Sequence, residues 1–189
     1  MVQQMTVAAV LLAAGRGQRW DKQGHTLLAN LKGKPVVSWA INSAESAQLD
    51  ELIVITGSVD ISDLLPKAAT VLHNPDWESG QSSSLIVGTN WAQDKGHDAV
   101  VVGLGDMPGV PKEAWIAVAE CPDHLVVATF NGERRPPTKI SSEFFEYLPT
   151  EGDVGARPLL NGGNHKVTEI VCQGNGNDID TFKDLEQWS

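Results

Sequence analysis

Cysteine is scarce in this chain. Cys121 and Cys172 are the only two among 189 residues. They lie far apart and form neither a CxxC nor a Cys/His ligand spacing, which argues against a disulfide scaffold or a zinc module and leaves them to act as small buried hydrophobes. The five histidines form no HxH or HxxxH pair. Basic residues are also few, 14 Lys and Arg against 24 Asp and Glu, for a formal charge of −10 and a pI near 4.8. With no basic run, nucleic acid and acidic membranes are disfavoured as partners. No apolar run approaches the ~18 residues of a membrane span, and the start of the sequence lacks a basic segment with an apolar core and cleavage site, so the expected location is the reducing cytoplasm. Several catalytic signatures are missing too. There is no GxSxG elbow for a serine hydrolase and no Gly-Lys-Ser/Thr of a Walker loop. Trp20 stands where a dinucleotide fingerprint needs its third glycine. No repeat or low-complexity segment is present.

What the chain does have is 41% apolar and 20% charged residues, suited to one domain over residues 1–189 with a substantial core. Short apolar runs at 5–12, 51–56, 69–72, 98–104, 124–130 and 166–172 read as strands. They alternate with helical patterns at 36–47, 61–65, 85–91, 111–119 and 142–148. That alternation predicts a parallel sheet built of right-handed crossovers.

Residues 5–20 organise the rest. An apolar strand runs into Gly15-Arg16-Gly17-Gln18-Arg19, where small residues let backbone N–H groups approach an anion and two arginines neutralise it. The same pattern also suits an ordinary strand exit. The string LAAGxGxR here resembles the opening signature of sugar-nucleotide-type nucleotidyltransferases, in particular the MobA-like NTP transferases of molybdenum cofactor chemistry. Leu12, Ala13, Ala14, Gly15, Gly17 and Arg19 fit it position by position. In that family the loop wraps an NTP and a lysine just before Leu-Leu grips the phosphates. Here Thr26, or His25 if the gap lies elsewhere, holds that position, leaving Lys22, Lys32 or Lys34 as substitutes.

The resemblance continues in order along the chain. The segment at 74–85, NPDWESGQSSSL, is similar to a nucleotide-holding loop of the cytidylyltransferase branch and implies contacts from Asn74, Gly80 and Ser84. Serines at a helix start also serve as caps, and a helix N-terminus aimed at phosphate would contribute in the same sense. Strand 98–104 ends in GDMP, similar to the family's Asp-x-Pro, which implies that Asp106 holds Mg²⁺. The hairpin at 130–137 resembles one lining the acceptor side, and Arg135 falls within it. GDVGAR resembles the family's GDxGAR, which makes Asp153 an acceptor-binding or loop-positioning residue unless it merely caps the next helix. The tail at 178–181, DIDT, resembles a segment that completes the metal site and favours Asp180 over Asp178. The alternative for these carboxylates is helix capping. The family's proline after Thr181 is Phe182 here, a change expected not to touch the chemistry. The six tryptophans are expected in the core.

The resemblance implies a three-layer α/β/α sandwich with a mostly parallel, Rossmann-like sheet. It also implies a cytoplasmic, Mg²⁺-dependent nucleotidyltransferase with Arg19, Asp106 and Asp180 at the reacting phosphates. CTP is the first nucleotide to try, with GTP as the other choice. The acceptor is a small phosphorylated molecule, molybdopterin in the family, whose product would pass to a molybdoenzyme. Two alternatives stand beside this. One is a catalytically impaired nucleotide- or cofactor-binding protein, motivated by Thr26. The other is a dinucleotide-dependent oxidoreductase on the same fold, opposed by the missing third glycine and by Thr56-Gly57-Ser58, which offers no ribose-binding acid.

Overall fold

The computed structural model describes residues 5–188. Nine strands and five helices follow one another in order: β1 (Val7–Ala13), β2 (Asn30–Leu31), β3 (Lys34–Pro35), α1 (Val36–Ser46), β4 (Glu51–Thr56), β5 (Thr70–His73), α2 (Gln81–Asp94), β6 (Ala99–Leu104), α3 (Lys112–Glu120), β7 (Leu125–Phe130), β8 (Glu133–Ser141), α4 (Arg157–Asn161), β9 (Thr168–Val171) and α5 (Phe182–Trp188). Strands β2 and β3 make a small hairpin, and the other seven form one sheet in the order β5-β4-β1-β6-β8-β7-β9. Within that sheet only β8 runs against its neighbours, so the sheet is mostly parallel as expected.

The alternation of side chains along β1 explains the layers, because successive residues of a strand face opposite sides of its sheet. Val7, Ala9, Leu11 and Ala13 pack with α1 and α3 through Val37, Ala40, Ile41, Trp115 and Val118. Ala8, Val10, Leu12 and Ala14 pack on the other side with Leu85 of α2 and Leu159 of α4. The result is the α/β/α sandwich. With both faces covered, β1 shows an unbroken apolar run, and all seven of its residues are buried.

Some elements differ from the sequence expectation. The segments expected as short α-helices near 61–65 and 142–148 are 3-10 turns, Ser62–Leu64 and Ser142–Tyr147, in keeping with the short runs that this tighter geometry favours. Of the six tryptophans only Trp115 is fully buried. Trp20, Trp39 and Trp188 join Phe182 around a satellite cluster of Leu31, Val36, Ile179 and Leu185. Both cysteines are unpaired and half-buried. Lys139 in β8 lies buried and donates to the carbonyls of Ala119 at 3.1 Å and Cys121 at 2.7 Å. There it satisfies orphan carbonyls at the end of α3, while burial pushes its ammonium pKa down. No helix among the described residues is long and apolar enough to cross a membrane.

Candidate active site at the carboxyl ends of the central strands

Strands β1 and β6 end side by side, with Leu12 opposite Leu104. Their pairing continues one step further as Gly105 N–H donates to the Leu12 carbonyl at 2.9 Å. The glycine loop and Asp106 therefore leave the sheet from adjacent strands, at the end where open parallel sheets bind ligands.

The loop is built from below. Gly17 has φ +65°, and a Cβ there would lie 2.7 Å from the hydroxyl oxygen of Thr26. Both the turn and the close approach thus require glycine. Thr26 is itself buried, its Oγ1 without a hydrogen-bond partner. Gly15 is exposed, with nothing near the place a Cβ would occupy, so space remains above it. His25 ties the loop down. Leu27 N–H donates to His25 Nδ1 at 3.1 Å, which leaves the ring proton on Nε2, 3.0 Å from the Gly15 carbonyl. Ser58 Oγ donates to the same carbonyl at 2.6 Å. On its outer flank Arg16 pairs with Glu78 at 3.1 Å and lies over Trp77.

This arrangement carries a pH signature. A second proton on His25 would sit on Nδ1, facing the Leu27 N–H, and burial already lowers the His25 pKa from its usual 6.5. The unfolded chain therefore takes up the proton first, so this contribution is complete above about pH 6.5 and declines as the pH falls from there. In urea titrations the advantage of wild type over His25→Gln is expected to shrink as the pH falls below about 6.5. An advantage independent of pH would remove the role given to this ring.

Asp106 faces the loop. Its Oδ1 is sealed from solvent without a hydrogen-bond partner. Burial, and then the charges of Asp178 and Asp180, push its pKa up to about 7. Asp180 is raised to about 6 by burial and by Asp178, with Arg19 opposing. The tail carrying these two acids is threaded over the 106–109 turn by backbone bonds, Asn175 N–H to Gly109 O at 3.0 Å and Ile179 N–H to Asp106 O at 2.9 Å. The cap of α5 is Thr181, whose Oγ1 accepts from Asp184 N–H at 3.2 Å while Asp184 Oδ2 accepts from Thr181 N–H at 2.8 Å, a reciprocal pair that leaves the Asp180 carboxylate out of the capping. Asp180 is paired with the loop, its Oδ2 2.7 Å from Nη2 of the largely exposed Arg19.

Negative charge thus collects around a sealed oxygen that has no donor, an arrangement that a divalent cation would relieve. Among the described residues no group of three or more His, Cys, Asp and Glu side chains is arranged to hold a metal. A cation here would rest on one or two carboxylates with water and substrate oxygens, as Mg²⁺ commonly does.

The other expected site residues lie around this centre, several with their polar groups already engaged. Asn74 is buried and donates to Ser83 Oγ and Ser84 Oγ, each at 2.9 Å, so both Asn74 and Ser84 hold the 74–80 loop to α2. The N-terminus of α2, expected to aim at phosphate, is covered by the 152–153 loop. Gln81 N–H donates to Asp153 Oδ1 at 3.2 Å and Ser82 N–H to Gly152 O at 2.9 Å. Asp153 therefore caps a helix 72 residues earlier in the chain, not the one that follows it. Gly80 makes this docking possible. It has φ +110°, and a Cβ would come within 2.4 Å of the Gly152 carbonyl carbon. Gly80→Ala is expected to cost about 3 kcal/mol in urea unfolding, from backbone strain and the contact together.

On the acceptor side, Arg135 pairs with Glu133 at 2.9 Å and lies against Gly176 of the tail. Arg134 is held by Glu169 and Asn161. Of the lysines weighed as substitutes for the family's loop lysine, Lys32 sits in the β2–β3 turn and Lys34 lies over Trp39. Lys22 stays on the loop itself, 4.9 Å from the ring centre of Phe182.

A family model described as the MobA-like NTP transferase domain matches residues 9–168. Purine catabolism protein PucB of Bacillus subtilis is 32% identical, covering 94% of this chain and 93% of its own. Nicotine blue oxidoreductase of Paenarthrobacter nicotinovorans is 28% identical, over 95% of this chain and 94% of its own. Among solved structures, Rv0371c of Mycobacterium tuberculosis superimposes with a TM-score of 0.85 at 24% identity, covering 99% of this chain and 98% of its own. A manganese complex of Rv0371c superimposes with a TM-score of 0.80 at 22% identity, covering 97% of this chain and 98% of its own.

Proposed function

The chain belongs to the MobA-like NTP transferase family, and from that premise we propose that it moves a nucleotidyl group from an NTP to a phosphate-bearing small molecule in the cytoplasm. CTP is the first choice of nucleotide and molybdopterin the first acceptor to try. An acceptor phosphate oxygen attacks the α-phosphorus in line. The new P–O bond forms as the bond to the β-phosphate oxygen breaks, and pyrophosphate leaves with that electron pair.

The contact between Arg19 and Asp180, beside the sealed oxygen of Asp106, carries this reading. It unites a cationic loop and a carboxylate pair, and phosphoryl-type transfer depends mainly on positioning and charge stabilisation. Arg19, released from Asp180, would hold the β- and γ-phosphates above the backbone of residues 15–17. Asp106 and Asp180 fit a divalent cation, Mg²⁺ in this proposal, which would supply neutralisation of the reacting phosphates. The manganese complex of Rv0371c supports a divalent ion in this fold. Arg135 and the 152–153 loop would border the acceptor.

The decisive assay is pyrophosphate release from each of the four NTPs with Mg²⁺, offered molybdopterin or common sugar phosphates. Release with at least one pair, lost in Asp106→Ala, is expected. No release from any pair, or release unchanged in that variant, would overturn the proposal. The oxidoreductase alternative predicts a bound nicotinamide or flavin in the purified protein. It finds no ribose-binding acid at the end of β4, where the residues are Thr56, Gly57 and Ser58.

A further inference from the structure

Phe182 stands where three parts of the protein meet. Its ring packs edge-on to Trp20, with centroids 6.2 Å apart, and the Lys22 ammonium lies 4.9 Å from its centre. Its backbone N–H donates to Asp21 Oδ1 at 3.4 Å, across 161 positions of sequence. Three consecutive residues of the loop, 20–22, are therefore fastened to one residue of the tail. Arg19 immediately precedes the fastened residues, and Asp180 lies two positions before Phe182. The ring belongs to the same satellite cluster as Ile179, whose N–H binds the Asp106 carbonyl.

Without the ring, the loop would keep its attachments at Gly15, Gly17 and Arg16, the Arg19–Asp180 pair and the Asp21 contact, but lose the aromatic and cation–π hold of Trp20 and Lys22 on the tail. Edge-on aromatic contacts and cation–π contacts are modest singly. Here they act together on residues adjoining the cation, where small displacements weigh heavily on a bound phosphate.

We propose that Phe182 is a positioning residue: by holding Trp20 and Lys22 against the tail, it fixes the backbone that carries Arg19 beside Asp106 and Asp180, so that the guanidinium, once released from Asp180, stays within reach of a triphosphate. This rests on the nucleotidyl-transfer reading for its purpose, but the fastening itself can be tested without turnover.

The test compares Phe182→Ala, Phe182→Leu and Phe182→Tyr with wild type in the full chain. The first measurement is the rate of trypsin cleavage after Arg19 and Lys22 in metal- and nucleotide-free protein, under conditions where urea melts show all four proteins folded. Cleavage is expected to quicken about tenfold in the Ala and Leu variants and to stay near wild type in the Tyr variant, because only Tyr keeps the ring. The second is steady-state pyrophosphate release. KM for the NTP is expected to rise about tenfold in the Ala and Leu variants with kcat within about threefold of wild type, and Tyr should restore it. If Leu protects the loop as well as Tyr, Phe182 provides bulk packing alone and the proposal fails. It fails equally if wild type turns over and KM is unmoved in the Ala and Leu variants. Absence of turnover in wild type would instead count against the nucleotidyl-transfer reading, and the cleavage pattern would still decide whether Phe182 holds the loop.

Discussion

Asp106→Asn is expected to lower pyrophosphate release at least a thousandfold, the scale reached when a preorganised charge is removed from a transferring phosphate. It should also change how stability depends on pH. In the folded, metal-free protein the Asp106 pKa is about 7 against an ordinary 3.8. The native state therefore binds more protons than the unfolded chain between those values. Stability from this group is complete below about pH 4 and is lost as the pH rises towards 7, amounting to on the order of 4 kcal/mol. Asp180, raised to about 6 by burial and by the charge of Asp178, contributes in the same direction. Urea midpoints measured in EDTA should fall across this range for wild type and fall less for Asp106→Asn. Added Mg²⁺ or Mn²⁺ should stabilise wild type at pH 7.5 and have little effect on the variant. Equal cation responses in the two proteins would dismiss the carboxylate pair as a metal site.

Arg19→Ala is expected to reduce kcat/KM for the NTP by about a hundredfold to a thousandfold, the usual loss when one charge-stabilising donor is removed. Arg19→Lys should recover only part of this, since an ammonium lacks the planar fork of the guanidinium. The variant should fold normally. Arg19 is largely exposed, and its pairing with Asp180 is of the kind that contributes little to stability. An Arg19→Ala enzyme within about threefold of wild-type kcat/KM would move the phosphate-binding role elsewhere, Lys22 being the nearest remaining cation on the loop.

The sheet was legible because β1 and β6 are short apolar runs with buried faces on both sides, and such runs have few structural uses. The ends of the site were legible as well. Small residues after one strand and an acid after its neighbour are visible as letters, and the sheet brings them together. What stayed hidden depends on partners distant in sequence. The resemblance made Asp153 an acceptor-binding or loop-positioning residue, with a cap for the next helix as the alternative, but its side chain caps α2, because Gly80 lets two loops touch. Phe182 was expected to be inert, since nothing local to it announces that Trp20 and Lys22 will lie against its ring. Lys139 gave no sign of burial, because the carbonyls that receive its ammonium belong to the end of another helix.

The tail also fixes when the protein can first act during its own synthesis. Asp180 and Phe182 leave the ribosome after the loop, β1, β6 and every other part of the site have been made, Asp180 lying 161 positions after Arg19. A nascent chain lacking those residues carries the arginine loop and Asp106 but neither Asp180 nor the ring of Phe182. Under the proposed function, nucleotide capture would therefore wait until residue 182 has been made and has docked on the loop.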